Sequence, residues 1–207
     1  MTFDELLQDL PLVAILRGIE PDEADAVGDA LVEAGFRIIE VPLNSPEPLV
    51  SIERLRNRFD GRAIVGAGTV LSAEWVDRVA DAGGQIVVSP NANVEVIART
   101  KARGLIAFPA FFTPTEAFAA IDAGADALKL FPAEAASPKV LKAVRAVLPK
   151  DMPVFPVGGI EPDGMQPWRE AGAAGFGIGG ALYAPGRSAA EVGERAHRFV
   201  QAWRSMA

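Results

Sequence analysis

One unit recurs eight times along this chain, and that recurrence constrains its fold more than any other feature. Each unit is a short apolar run rich in Val, Ile and Ala, then a turn, then a helical pattern. The runs are LVAILR (12–17), RIIEVPL (37–43), AIVGAGTV (63–70), QIVVSP (85–90), LIAFPA (105–110), ALKLFP (127–132), VFPVGG (154–159) and GFGIGG (175–180), and their starts lie 20 to 27 residues apart. Several intervening stretches carry helix start signals: Thr113-Pro114, Ser137-Pro138 and Ser188. Many end in Ala-Gly, as at Ala34-Gly35, Ala82-Gly83, Ala123-Gly124 and Ala171-Gly172, and glycine is favoured just past a helix end. Near-continuous apolar strands alternating with helices predict a parallel sheet buried on both faces. Eight units predict one α/β domain over residues 1–207, a (β/α)8 TIM barrel with a short extra helix at residues 2–9. An open doubly wound sheet is the alternative. The even spacing, and the lack of a GxGxxG after the first run, favour the barrel.

Composition narrows the chemistry. The chain has no cysteine, which excludes disulfides, thiolate nucleophiles and Cys-based metal sites. Its single histidine, His197, falls beside the apolar stripe Val192, Phe199, Val200 and Trp203 of the last helical pattern and reads as a solvent-edge residue. No metal site is expected. A net charge of -7 argues against nucleic-acid or anionic-membrane partners. MTFDELLQD lacks the basic-then-apolar order of a signal peptide, and no apolar run is long enough to span a bilayer, so a cytoplasmic location is expected.

Side chains alternate along a strand, so parity sorts them between the barrel interior and the helices. In the second run Ile39, Val41 and Leu43 make an aliphatic face for the helices, which turns Glu40 inward. In the sixth run Leu128 and Leu130 face the helices, which turns Lys129 inward. Arg17 ends the first run on the parity of Val13 and Ile15. These three charges have two interpretations. They form a buried salt-bridge network that fills the barrel, or they form a site in which an apolar wall and a cationic neighbour depress the lysine pKa and leave a nucleophilic amine. Glu40 is then a nearby acid/base.

Gly158-Gly159 and Gly177, Gly179 and Gly180 end the last two runs. They serve either as tight turns or as a backbone cradle for phosphate, which barrels commonly build after strands seven and eight. Thr69 and Ser89-Pro90-Asn91 end the third and fourth runs on the same rim. Ser72 and Asn91 or Asn93 suit helix caps.

Together these residues resemble the family of 2-keto-3-deoxy-6-phospho-sugar-acid aldolases. The resemblance runs over essentially the whole chain, on AILRG (14–18), EVPLNSP (40–46), GAGTV (66–70), SPN (89–91), TPTEA (113–117), LKLFPAE (128–134), VGGI (157–160) and the last glycines. It implies that Lys129 forms a Schiff base with a substrate ketone and that Glu40 is the general acid/base. It implies that Arg17 binds near the pyruvyl carboxylate, that Thr69, Pro90 and Asn91 line the site, and that Gly158, Gly159, Gly179 and Gly180 match the phosphate cradle. The family needs no metal or cofactor, is commonly homotrimeric, and yields pyruvate and glyceraldehyde 3-phosphate.

Asn44, where gluconate-type members usually have arginine, and Val157, where they carry threonine near substrate C4, point to the galactonate-derived keto acid. A gluconate-type or 4-hydroxy-2-oxoglutarate activity is the alternative. A phosphate-binding isomerase or a non-catalytic phosphosugar-binding barrel explains the glycines but not Lys129. Two departures stand out. Ala110-Phe111-Phe112 replaces glycine and small residues, and suits a narrowed pocket or a subunit interface. Gly180 stands where relatives often place serine.

Overall fold

The computed structural model describes residues 2–206. Its described residues contain eight parallel strands: β1 Leu12–Ile15, β2 Ile38–Pro42, β3 Ile64–Gly68, β4 Ile86–Ser89, β5 Ile106–Phe111, β6 Leu128–Leu130, β7 Val154–Pro156 and β8 Phe176–Ile178. They pair in the order β7-β6-β5-β4-β3-β2-β1-β8. The ring closes where Val157 bridges Gly177 and the Ala174 N–H donates to the Val154 carbonyl at 2.9 Å. The architecture is the (β/α)8 barrel expected from the repeat. Seven strands lie inside their apolar runs, and β5 reaches one residue further, to Phe111.

The helices are α1 Phe3–Asp9, α2 Pro21–Ala34, α3 Pro48–Arg58, α4 Ala73–Asp81, α5 Val94–Ala102, α6 Pro114–Asp122, α7 Pro138–Arg145, α8 Met165–Glu170 and α9 Ala189–Ser205. Their starts follow local chemistry. Side-chain oxygens of Ser72, Asn93, Thr113, Ser137 and Ser188 accept first-turn backbone N–H groups of α4, α5, α6, α7 and α9, which would otherwise lack partners. Asn93, not Asn91, caps α5.

Strand parity divides the core in two. Val13, Ile38, Ile64, Ile86, Val88, Phe108, Ala127 and Phe155 fill the barrel, with the Phe108 and Phe155 rings edge to face at 4.9 Å. Leu6 of α1 joins this inner cluster, so the extra helix plugs the N-terminal end of the barrel. The opposite parity, including Ala14, Ile39, Val41, Leu128 and Leu130, packs on the buried faces of the helices. Each large aliphatic side chain so buried contributes about 1.5–3 kcal/mol relative to an exposed one. That driving force fixes which way Glu40 and Lys129 must face, because a one-residue slip would turn the aliphatic set into the barrel and press both charged side chains onto the apolar faces of the helices.

Candidate active site

Two residues above Ile38 and Ala127, on the same strand faces, stand Glu40 of β2 and Lys129 of β6. Register places Glu40 beside Ile15 and Gly66, and Lys129 beside Ala110 and Phe155. Both charged residues are buried, Glu40 with 2% and Lys129 with 6% of its surface exposed. Burial pushes the Glu40 carboxyl up to about 7, against the opposing pull of the Lys129 and Arg17 charges. Burial also lowers the Lys129 amine; Glu40 opposes that shift, and Arg17 adds to it. Each group is therefore moved toward its neutral form by loss of water more than its partner can restore. Lys129 Nζ lies 4.5 Å from the centroid of the Phe131 ring, which gives the ammonium form one compensating contact.

The neighbouring backbone is shaped around the carboxylate. A β-carbon at Gly68 would collide with Glu40 Oε2, so the glycine that ends β3 makes room for the acid. Oε2 is buried without a hydrogen-bond donor among the described residues. An acceptor left unpaired in a dry interior is costly, and it is available to a donor brought in by a ligand.

Lys129 opens into a cavity of about 510 Å³. Arg17, Val157, Gly158, Gly159, Gly179 and Gly180 share its wall. Arg17 is exposed, and its Nη1 donates to Asn44 Oδ1 at 2.6 Å. The next residue, Ser45, is buried and accepts the Gly18 N–H at 2.9 Å, which ties the turn carrying Arg17 to the loop after β2. At the other side of the cavity Gly158 and Gly159 take positive φ angles, 112° and 64°. The Glu134 carboxylate packs against them where β-carbons would lie. After β8 the chain makes one helical turn, in which the N–H groups of Leu182 and Tyr183 donate to the Gly179 carbonyl at 2.8 and 3.0 Å.

Thr69, Pro90 and Asn91 do not line this cavity, which opens over β6, β7, β8 and β1. They stand past the ends of β3 and β4. Thr69 has a φ of 59°, an outlier for a β-branched residue, and it directly follows Gly68, which touches Glu40. The Ser89 hydroxyl holds this segment by donating to the Val70 carbonyl at 2.8 Å. Of the two unusual phenylalanines, Phe111 is buried in β5 and Phe112 is exposed; neither reaches the cavity. His197 is exposed.

Wall residues that escaped the sequence reading include Glu134 and Tyr183, whereas strand parity already turned Phe131 inward with Lys129. Phe131 and Glu134 lie inside LKLFPAE, and Tyr183 is the only tyrosine in the chain. The Tyr183 hydroxyl donates to Glu23 Oε2 at 3.0 Å, and burial, reinforced by that hydrogen bond, raises its pKa.

The buried Lys129 amine on the cavity wall, the Glu40 carboxyl buried behind it within reach of its charge, and the Arg17 cation and glycine backbone around the opening suit a ligand with a reactive carbonyl between anionic ends. Comparison with known proteins agrees in kind. Residues 3–193 match the family model for KDPG and KHG aldolases. The chain is 48% identical to the 2-dehydro-3-deoxy-6-phosphogalactonate aldolase of Escherichia coli, across 94% of this chain and 95% of that one. It is 30% identical to the 2-dehydro-3-deoxy-phosphogluconate aldolase of Zymomonas mobilis, across 77% and 76%. A solved native KDPGal structure superposes with a TM-score of 0.94 at 47% identity, covering 95% of this chain and 96% of that one.

Proposed function

This chain belongs to the KDPG and KHG aldolase family, and from that premise we propose that it cleaves 2-dehydro-3-deoxy-6-phosphogalactonate to pyruvate and glyceraldehyde 3-phosphate through an imine on Lys129. The observation that carries the mechanism is the buried Lys129–Glu40 pair, with both members pushed toward neutrality.

The neutral Lys129 amine attacks the C2 ketone. The carbinolamine loses water to give a protonated imine, which serves as an electron sink. Loss of the C4 hydroxyl proton then breaks C3–C4; the bonding pair moves into the imine to form an enamine, and the aldehyde departs. Protonation of C3 and hydrolysis of the imine release pyruvate and regenerate the amine. Glu40 carries protons at dehydration, at cleavage and at reprotonation. A carboxyl at about 7 serves both directions of transfer near neutral pH. Arg17, on the cavity wall, meets the carboxylate of the keto acid. Amides at Gly158, Gly159, Gly179 and Gly180 receive the phosphate. Val157 lies on the wall between these ends, against C4.

Borohydride added with pyruvate traps a secondary amine on Lys129, located by mass spectrometry of the peptide. Absence of the adduct, or its survival in Lys129→Ala, refutes the imine. The ratio of kcat/KM for the two C4 epimers tests specificity, and the galactonate-derived epimer is expected to be preferred. The greater identity to the phosphogalactonate enzyme than to the phosphogluconate enzyme supports that preference.

A role in galactonate catabolism follows from this substrate. A cytoplasmic location is supported because phosphorylated sugar acids do not cross bilayers unaided, and among the described residues no helix is long and apolar enough to span a membrane. A homotrimer is supported by exposed apolar side chains on neighbouring units: Leu71 after β3, Val94 in α5, Phe112 after β5 and Phe118 in α6.

A further inference from the structure

Three successive carbonyls after β8 are held by the protein itself. The Gly179 carbonyl accepts the N–H groups of Leu182 and Tyr183 at 2.8 and 3.0 Å. The Gly180 carbonyl accepts Arg187 Nη1 at 3.0 Å, and the Ala181 carbonyl accepts Arg195 Nη1 at 3.1 Å. In a trans peptide the carbonyl and the following N–H point in opposite directions. Fixing the Gly179 carbonyl therefore aims the Gly180 N–H, and fixing the Gly180 carbonyl aims the Ala181 N–H. Both residues line the cavity. Gly180 itself has no packing on its cavity side, since a β-carbon there would meet nothing within 4 Å.

The two arginines are themselves anchored. The Arg187 N–H donates to the Ala184 carbonyl at 3.1 Å, and Arg187 directly precedes Ser188, the N-cap of α9. Arg195 projects from α9. Both are partly buried. Glu191, four residues from each, feels the charge of both and offsets part of it, so their effect on a distant anion is mainly geometric.

We propose that Arg187 and Arg195 are positioning residues for the phosphate end of the substrate: Arg187 clamps the Gly180 carbonyl and so aims the Ala181 amide, while Arg195 clamps the Ala181 carbonyl and so sets the Leu182 N–H, which holds the Gly179 carbonyl and through it the Gly180 amide. This inference rests on the phosphate site of the proposed aldolase.

The test uses Arg187→Ala, Arg195→Ala and the two corresponding lysine variants in the intact protein. Each alanine variant raises KM for the phosphorylated keto acid about tenfold and leaves kcat within about twofold, as expected for loss of a hydrogen bond that aims a charged-ligand contact. Affinity for inorganic phosphate, followed by NMR titration, weakens by a similar factor. Deuterium exchange into the pyruvate methyl group, which needs Lys129 and Glu40 but no phosphate, is unchanged. The lysine variants keep the charge but not the planar fork, and they recover little.

The proposal is overturned if KM and phosphate affinity are unmoved, if lysine restores both, or if pyruvate exchange falls in step and so reports general damage. If the wild-type protein fails to exchange pyruvate protons, the aldolase assignment fails instead, and the phosphate titration alone decides the arginines' role.

Discussion

Glu40 ties together burial, catalysis and stability at the scale of one residue. Its carboxyl, at about 7 rather than 4.5, binds a proton more tightly in the folded chain than in the unfolded one. Its contribution to stability is therefore fully present below 4.5 and is lost as the pH rises through about 7, a cost on the order of 3 kcal/mol. Glu40→Gln removes that cost, so its stability relative to wild type should improve between pH 5 and pH 8 in denaturant titrations. An unchanged difference would contradict the buried, shifted carboxyl. The same proton governs rate, and kcat should fall as the pH drops below about 7.

Thr69 poses the opposite exchange. A β-branched side chain at φ 59° costs about 1–3 kcal/mol and persists where position matters more than stability. Thr69→Gly is expected to hold or raise the melting temperature while lowering kcat/KM about tenfold or more. A clear fall in melting temperature would argue against stored strain.

At the scale of the element, each βα unit carries its own instructions. Ser72, Thr113, Ser137 and Ser188 announce helix starts, and the alternation in RIIEVPL and ALKLFP turns Glu40 and Lys129 inward. These signals are local, and so they were legible in the sequence. The contacts that escaped it join distant units: Glu134 against Gly158 and Gly159, Tyr183 on Glu23, and Asn44 on Arg17. Alternation along one strand says nothing about what a loop from another strand will touch. Gly180 illustrates the difference. Its side-chain space is open toward the cavity, and its φ lies outside the left-handed range, so a serine fits there. Gly180→Ser should lower KM for the phosphorylated substrate several-fold by adding a hydroxyl donor, roughly the worth of one hydrogen bond. A raised KM would mean that the loop needs glycine for approach rather than merely tolerating it.

For the whole molecule, the cavity and one group of exposed apolar side chains lie on different arcs of the rim. The cavity opens over β6 to β1, whereas Leu71, Val94, Phe112 and Phe118 belong to the connections and helices after β3, β4 and β5. Phe112 is 43% exposed, a large apolar surface to leave in water. Phe112→Glu combined with Phe118→Glu should convert a trimer to monomers in sedimentation velocity. A wild-type monomer would remove the basis for assembly on this face.

The plug formed by α1, with Leu6 and the apolar layer of Ile38, Phe108, Ala127 and Phe155 above it, closes the barrel beneath Lys129. The cavity is thus a blind well with one mouth. The fragment bound to Lys129 sits at the bottom, and the phosphorylated fragment sits above it and must leave first. Release is then compulsory in order, which steady-state kinetics can detect. Pyruvate should inhibit competitively with the keto acid, glyceraldehyde 3-phosphate noncompetitively, and a reversal of those patterns would mean a second exit.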